Sequence, residues 1–433
     1  MTPIVTGIVA LCVLLLLLII GTPIGFAMLL LGFAGLVYLT SFSGALQAII
    51  DTPFLLVSSY DYAVLPLFLF MASICFTTGL GKNLFRMANS WLGRMHGGLC
   101  IATIGSCAVF GAASASGIAT AATIGTVALP EMQRYKYDTG LAAGSVAAGG
   151  TLGIMIPPSG MLMIYGIIAG QDIGKLFIAG IVPGILLSLM FIGLIYVRVR
   201  LKPSLAPLGA RTNIREKLLS IADSFEMIIL ILVVIGGLLI GWFTPTEAGA
   251  AGAFGAIVLS LLRRRLNWQR LKDATLETIR TAGMIFTILM GALLFTTFLA
   301  LSTIPMELAE WVTNLGLPRM GVMVLILVIY LLLGTFLEEM SMILLTLPIF
   351  LPLVSSLGFD LIWFGILNVL VVEMGMISPP VGIPMFVVKG IAPEVPMGTI
   401  FKGVLPFWAV TIVFAALLVA FPAIALTLPS LVG

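Results

Sequence analysis

Charge is what this sequence has least of. Only 9% of its 433 residues are Asp, Glu, Lys or Arg, against roughly 25% in a soluble globular chain. A soluble domain of this length could not clothe its core with so few polar side chains. There is a single histidine, His96. That argues against histidine-based acid–base catalysis and against a histidine-ligated metal. The four cysteines, Cys12, Cys75, Cys100 and Cys107, sit in apolar surroundings without metal spacing, so buried packing is their expected role. The net charge of +3 is scattered over loops and carries no nucleic-acid signal. The N-terminal stretch lacks a basic n-region and a small-residue cleavage site, and reads as a first span rather than a removed signal. With one histidine, at an expected loop, and no metal cluster, an intramembrane enzyme is not expected.

What is present is apolar. The chain is 61% hydrophobic, with a mean hydropathy of +1.22. Continuous apolar stretches of about 18–20 residues recur from end to end, the mark of an all-α polytopic membrane protein. Their continuity, without alternation, disfavours a β-barrel.

The chain also repeats itself. Pro157-Pro158 in "IMIPPSGMLMIYG" and Pro379-Pro380 in "ISPPVGIPMF" are 222 residues apart. At the same offset Gly153 matches Gly375, Gly160 matches Gly382, Leu129-Pro130 matches Leu351-Pro352, and Thr22-Pro23 matches Thr244-Pro245. Matches in one register over most of each half predict two homologous repeats, 1–200 and 223–433, joined by a linker at 201–222. Spans are expected at about 4–20, 23–42, 62–79, 140–170 and 176–197, then at about 224–242, 246–262, 282–303, 360–388 and 403–425. Two segments, about 98–130 and 320–356, are expected as re-entrant hairpins buried in protein. Five crossings per half is an odd number, so the repeats should be inverted. Charge agrees: 198–217 holds Arg198, Arg200, Lys202, Arg211, Arg215 and Lys217 against Glu216, which places it in the cytoplasm. Both termini then lie outside. Three stretches, 82–95, 305–315 and 264–281, look amphipathic and are expected along the membrane surface.

The proline pairs explain themselves only as deliberate breaks. Proline removes an N–H donor, clashes with the preceding turn and unfits the residue before it for a helix. A double break inside a span frees carbonyls on one half-helix and N–H groups on the next. In lipid these must find partners. A cation can take the carbonyls and an anion the N–H groups at the positive helix end. Paired broken helices in two halves point to a transporter binding site. The first hairpin, "FGAASASGIATAATIG", offers Ser114, Ser116, Thr120 and Thr123 as hard oxygen ligands. The second, "LLLGTFLEEMSMILLTLP", carries Glu338 and Glu339, and an intramembrane carboxylate marks a functional site by default. Glu247, Glu373 and Lys389 are weaker candidates.

On "FGAASASGIATAATIGTVALPEM", "GGTLGIMIPPSGMLMIYG", "LGTFLEEMSMILLTLPIFLP" and "EMGMISPPVGIPMFVVKG", the chain resembles the large membrane subunit of a TRAP (tripartite ATP-independent periplasmic) transporter, within the ion-transporter superfamily. The resemblance covers essentially the whole chain. It implies an elevator-type scaffold plus transport domain in a bacterial inner membrane. It also implies Na⁺-driven import of an organic acid such as a C4-dicarboxylate or sialic acid. Its implied partners are a soluble periplasmic substrate-binding protein and a small four-helix membrane subunit, expected as a separate polypeptide. Carried onto this sequence, one Na⁺ site would use Ser114, Ser116, Gly153, Ile156 and Pro157. A second would use Gly334, Thr335, Gly375, Met376 and Ser378. Substrate would meet Ser116 and Ser159, with Glu338 beside the cavity. The core motifs hold no Arg or Lys, so half-helix N-termini, serine hydroxyls and bound Na⁺ would supply the positive field. The alternative is a stand-alone ion-coupled anion carrier of the same superfamily that needs no binding protein.

Overall fold

A computed structural model describes residues 2–114, 116–209, 213–314, 316–379 and 382–432. Pro380 and Val381 of the second proline break, Arg211 of the linker and Leu315 of the 305–315 segment lie outside the described residues. Every regular element among the described residues is helical.

The first half runs α1 (Pro3–Ile19), α2 (Ile24–Leu39), α3 (Phe42–Ser58) and, after a short 3-10 turn at Tyr60–Ala63, α4 (Val64–Thr78). Then come α5 (Lys82–Leu92), α6 (Gly98–Ser114), α7 (Gly117–Arg134), α8 (Thr139–Met155), α9 (Gly160–Ala169) and α10 (Ile173–Leu201). The second half runs α11 (Ile214–Leu239), α12 (Pro245–Leu262), α13 (Trp268–Leu301), α14 (Ile304–Asn314) and α15 (Arg319–Gly334). It closes with α16 (Glu339–Ser356), α17 (Leu361–Met376), α18 (Ile383–Ile391), α19 (Met397–Ala420) and α20 (Ala423–Val432).

Local chemistry sets these boundaries. Asp138 and Asp360, 222 residues apart, cap α8 and α17 by accepting N–H bonds from Leu141 and from Ile362 and Trp363 at 2.8–2.9 Å. Thr244 and Glu247 form a capping box at α12, with Pro245 at its first position. Gly79 (φ 68°) and Gly170 (φ 61°) end α4 and α9 in the left-handed conformation that favours glycine.

Eight stretches are long and apolar enough to cross a membrane: Tyr60–Thr78, Thr139–Ala169, Ile173–Leu201, Ile214–Leu239, Pro245–Leu262, Trp268–Leu301, Glu339–Ser356 and Met397–Ala420. The expected spans at 4–20 and 23–42 appear as the shorter α1 and α2, and the one at 360–388 as two short helices, α17 and α18.

Two further differences have plain causes. Residues 42–58, expected as connection, form α3. Asp51 and Pro53 mask its helical pattern, yet Gln47 reaches Asp51 one turn on at 3.0 Å and Ala45 and Leu56 are buried. The 264–281 stretch is no separate surface helix. It leads without a break into the span as α13, 34 residues long. Ala274, Thr278 and Ala282 lie buried at four-residue spacing along this junction, so one packed face continues through it.

Packing falls into two groups. In one, α2 and α4 lie against α13, α4 against α12, and α11 against α12. In the other, α6 and α7 embrace α8, α15 and α16 flank α17, and α10 and α19 close the sides. The connector α5 is tied to α11 and the linker. Asn83 donates to the Asp223 carbonyl at 2.8 Å, Gly209 N–H to the Gly93 carbonyl at 3.2 Å, and Lys217 lies 5.4 Å from the Trp91 ring. Nearby the buried Glu226 pairs with Arg263, which also donates to the Ala222 carbonyl at 2.9 Å.

Candidate functional site

The two broken helices, α8–α9 and α17–α18, receive the two hairpins at glycines. A Cβ placed on Gly111 would lie 2.2 Å from the Gly153 Cα, and one on Gly375 would lie 2.8 Å from the Gly334 Cα. Real Cβ atoms do not tolerate such distances, so at both crossings backbone meets backbone. Small residues at helix crossings allow this approach in membranes. It carries each hairpin tip to a helix end whose carbonyls run out of partners.

At the first tip Ser114 and Thr120 hydroxyls are 2.7 Å apart. Thr120 donates to the Ser116 carbonyl at 2.8 Å, and Ser116 caps α7 by accepting from Ala119 N–H at 3.3 Å. Gly153 belongs to this cluster: a Cβ on it would stand 2.8 Å from Thr120 Oγ1 and 3.5 Å from the Ser116 carbonyl oxygen. The structure therefore brings Ser114, Ser116 and Gly153 together and adds Thr120. Ile156 and Pro157 face elsewhere. Ile156 packs on Gly184 and the Pro157 ring approaches Gly180, both on α10.

At the second tip Gly334 and Gly375 touch. Thr335 donates to the Leu332 carbonyl at 2.7 Å. Ser378 bends back to the Gly375 carbonyl, with its N–H at 3.0 Å and its hydroxyl at 2.7 Å. Met376 is buried beside them. Gly382 starts α18 with φ 64°, within reach of the Met376 carbonyl.

The expected substrate contacts divide. Ser159 is wholly buried, caps α9 through Leu162 N–H, and gives its own proton to the Ile154 carbonyl. Its hydroxyl holds the break closed and is not free to donate to a substrate. Ser116 is half-buried, and among the described residues its hydroxyl proton has no acceptor. Glu338 caps α16, accepting from Ser341 N–H at 3.0 Å. It lines a cavity of about 540 Å³ whose far wall is Pro23, Ile24, Gly25 and Phe26 of the α2 start with Met284, Thr287 and Ile288 of α13.

Sequence reasoning ranked Glu373 low and missed Asn368 and Tyr330, all buried. Asn368 and Tyr330 gather with Thr346 between α15, α16 and α17. Their spacing in the chain gives no common period, which is why pattern reading passed over them. The charged side chains buried among the described residues are Glu226, Glu339 and Glu373, with no lysine or arginine. None of the described His, Cys, Asp and Glu residues group as a metal site of three or more.

Comparison with known proteins fits this picture. The family model described as "Tripartite ATP-independent periplasmic transporter, DctM component" matches residues 11–424. The chain is 36% identical to the C4-dicarboxylate TRAP transporter large permease protein DctM of Pseudomonas aeruginosa, over 86% of this chain and 87% of that one. It is 29% identical to the sialic acid TRAP transporter large permease protein SiaM of Vibrio cholerae, over 96% of both. It is 32% identical to the isethionate TRAP transporter permease protein DctMQ of Oleidesulfovibrio alaskensis, over 94% of this chain and 64% of that one. Among solved structures it shares its fold with the Alcanivorax borkumensis YdaH transporter, at a TM-score of 0.63 with 15% identity, covering 88% and 89% of the two chains. The chain is a multi-pass membrane protein of the DctM family, the large permease subunits of TRAP transporters.

Proposed function

We propose that this subunit imports an organic acid, a C4-dicarboxylate, sialic acid or similar anion, across the bacterial inner membrane by Na⁺ symport. A soluble periplasmic binding protein delivers the acid, and a small four-helix membrane subunit completes the complex. The two halves are inverted repeats with both termini periplasmic. The group built on the hairpins and broken helices moves as an elevator against the group built on α2, α4, α12 and α13.

The observation that carries this reading is the pair of glycine crossings, Gly111 on Gly153 and Gly334 on Gly375. Each sets hydroxyls and helix-end carbonyls side by side, the hard oxygen donors that suit a small cation. One Na⁺ belongs among Ser114, Ser116, Thr120 and Gly153. A second belongs among Gly334, Thr335, Gly375, Met376 and Ser378. Bound Na⁺ and the starts of α7 and α16 provide the positive field for a carboxylate. Ser116 offers it a free hydroxyl.

Uptake into proteoliposomes tests this. The chain with its small subunit and a binding protein should accumulate labelled acid under an inward Na⁺ gradient and not under choline. Accumulation by the chain alone would instead establish the stand-alone carrier, and indifference to Na⁺ would remove both cation sites.

A further inference from the structure

Glu373 stands where a carboxylate is least welcome. It is 1% exposed, within the last turn of α17, and neither carboxyl oxygen has a hydrogen-bond partner among the described residues. The C-terminal end of a helix carries partial negative charge and carbonyls short of donors. Glu339, 6% exposed at the start of α16, lies close enough for its charge to act on Glu373, and its Oε2 is also without a partner. The third neighbour is Thr151 of α8, the residue 222 positions before Glu373, so the two broken helices meet side chain to side chain here. Thr151 gives its proton to the Ala148 carbonyl at 2.8 Å, which leaves its oxygen as an acceptor.

Everything named at this crossing accepts and nothing donates. Two carboxylates held this close in a low-dielectric interior cannot both remain ionised without a cation. Of the charged groups on the helices packed against α17, Glu338 and Glu339 on α16, Arg319 on α15, Lys175, Arg198 and Arg200 on α10 and Lys402 on α19, Glu339 is the one that acts on Glu373. Tyr165 of α9 is engaged at the opposite end of α17, on the Leu361 carbonyl at 2.5 Å, and Tyr330 of α15 sits with Thr346 and Asn368.

We propose that Glu373, Glu339 and Thr151 form a binding site for one monovalent cation, a proton or Na⁺, at the crossing of the two broken helices. It rests on the transporter reading above and extends it. The two Na⁺ sites named there are built from hydroxyls and neutral carbonyls, whereas this one is anionic when empty. An acid substrate approaching the empty site meets repulsion; once the cation is in place, that repulsion is gone.

The test is thermal unfolding of the purified full chain in detergent, in NaCl or in choline chloride, at about pH 6 and about pH 8. The variants are E373Q and, should that not fold, E339Q. A neutral amide removes the charge and keeps the shape. In choline at the higher pH the amide variant should melt above the wild type. It should lose the wild type's gain on acidification, its gain on adding Na⁺, or both. Loss of the acid response alone identifies a proton, and loss of a Na⁺ response identifies Na⁺. A uniform lowering of the midpoint with both responses intact would overturn the proposal. So would two variants indistinguishable from wild type. Wild-type uptake that ignores Na⁺ would sink the transport reading of the previous section while leaving this cation site standing.

Discussion

Ser116 and Glu338, 222 residues apart, hold the same position on different hairpins. Each caps the second arm, Ser116 by accepting from the N–H of Ala119 and Glu338 from that of Ser341, three residues on. One cap is neutral and the other is anionic, so the tips are alike in shape and unlike in charge. Glu338→Ala should lose the cap and lower the melting stability by about 1 kcal/mol. Glu338→Ser should recover that stability, because it copies the first tip, yet still alter uptake. Melting curves and uptake measured on both variants separate the two roles. Equal uptake by Glu338→Ser and wild type would show that the charge is dispensable.

The crossing at Gly111 and Gly153 leaves no room for a methyl group. Gly153→Ala should cost about 1–3 kcal/mol through overpacking, read as a lower melting temperature in detergent. Gly105 on the same helix as Gly111 has nothing within 4 Å of its missing Cβ. Gly105→Ala should therefore be neutral or stabilising by roughly 0.5–1 kcal/mol through helix propensity. If both variants melt alike, close approach is not what glycine provides at the crossing.

Glu226 and Arg263 make an asymmetric pair, the carboxylate 5% exposed and the guanidinium 42%. Removing the arginine strands a buried charge, whereas removing the glutamate leaves a cation that reaches water. Arg263→Ala should cost on the order of 3 kcal/mol, the lower end for a broken buried pair because the arginine is partly solvated. Glu226→Ala should cost less, and the double variant should recover part of the loss. A larger penalty for Glu226→Ala would contradict this account.

An elevator requires α16 to slide past α13. Thr287 on α13 and Ser341 on α16 line the same cavity. In a background without Cys12, Cys75, Cys100 and Cys107, Thr287→Cys with Ser341→Cys should allow a short thiol cross-linker to stop uptake, and a reducible one should release it. Full uptake by the cross-linked protein would mean that these helices do not move against each other.

The fold class was legible because it rests on composition: scarce charge and long apolar runs admit few alternatives. Several helix starts were legible through the proline, glycine and aspartate marks at the 222-residue offset. What stayed hidden depended on competition between local and tertiary forces. α3 was masked by Asp51 and Pro53, whose unfavourable pattern is outweighed by packing on α2 and α13. At the site, glycine spacing pointed to the helix breaks, and Gly153 and Gly375 are where the hairpins land. The direction of a side chain was not legible. Nothing in "IPPSG" shows that Ser159 turns back onto Ile154, and nothing in "VVEMG" shows that Glu373 turns inward toward Thr151.

The long helix α13 has a mechanical meaning. At about 1.5 Å per residue its 34 residues make a rod of roughly 51 Å, well beyond the ~30 Å apolar thickness of a bilayer. Its counterpart in the first half is jointed at Ser59–Ala63 between α3 and α4. The molecule thus has a splint on one side and an elbow on the other. Any tilt between surface arm and span is absorbed at the elbow, while the splint keeps the two ends of α13 in fixed relation.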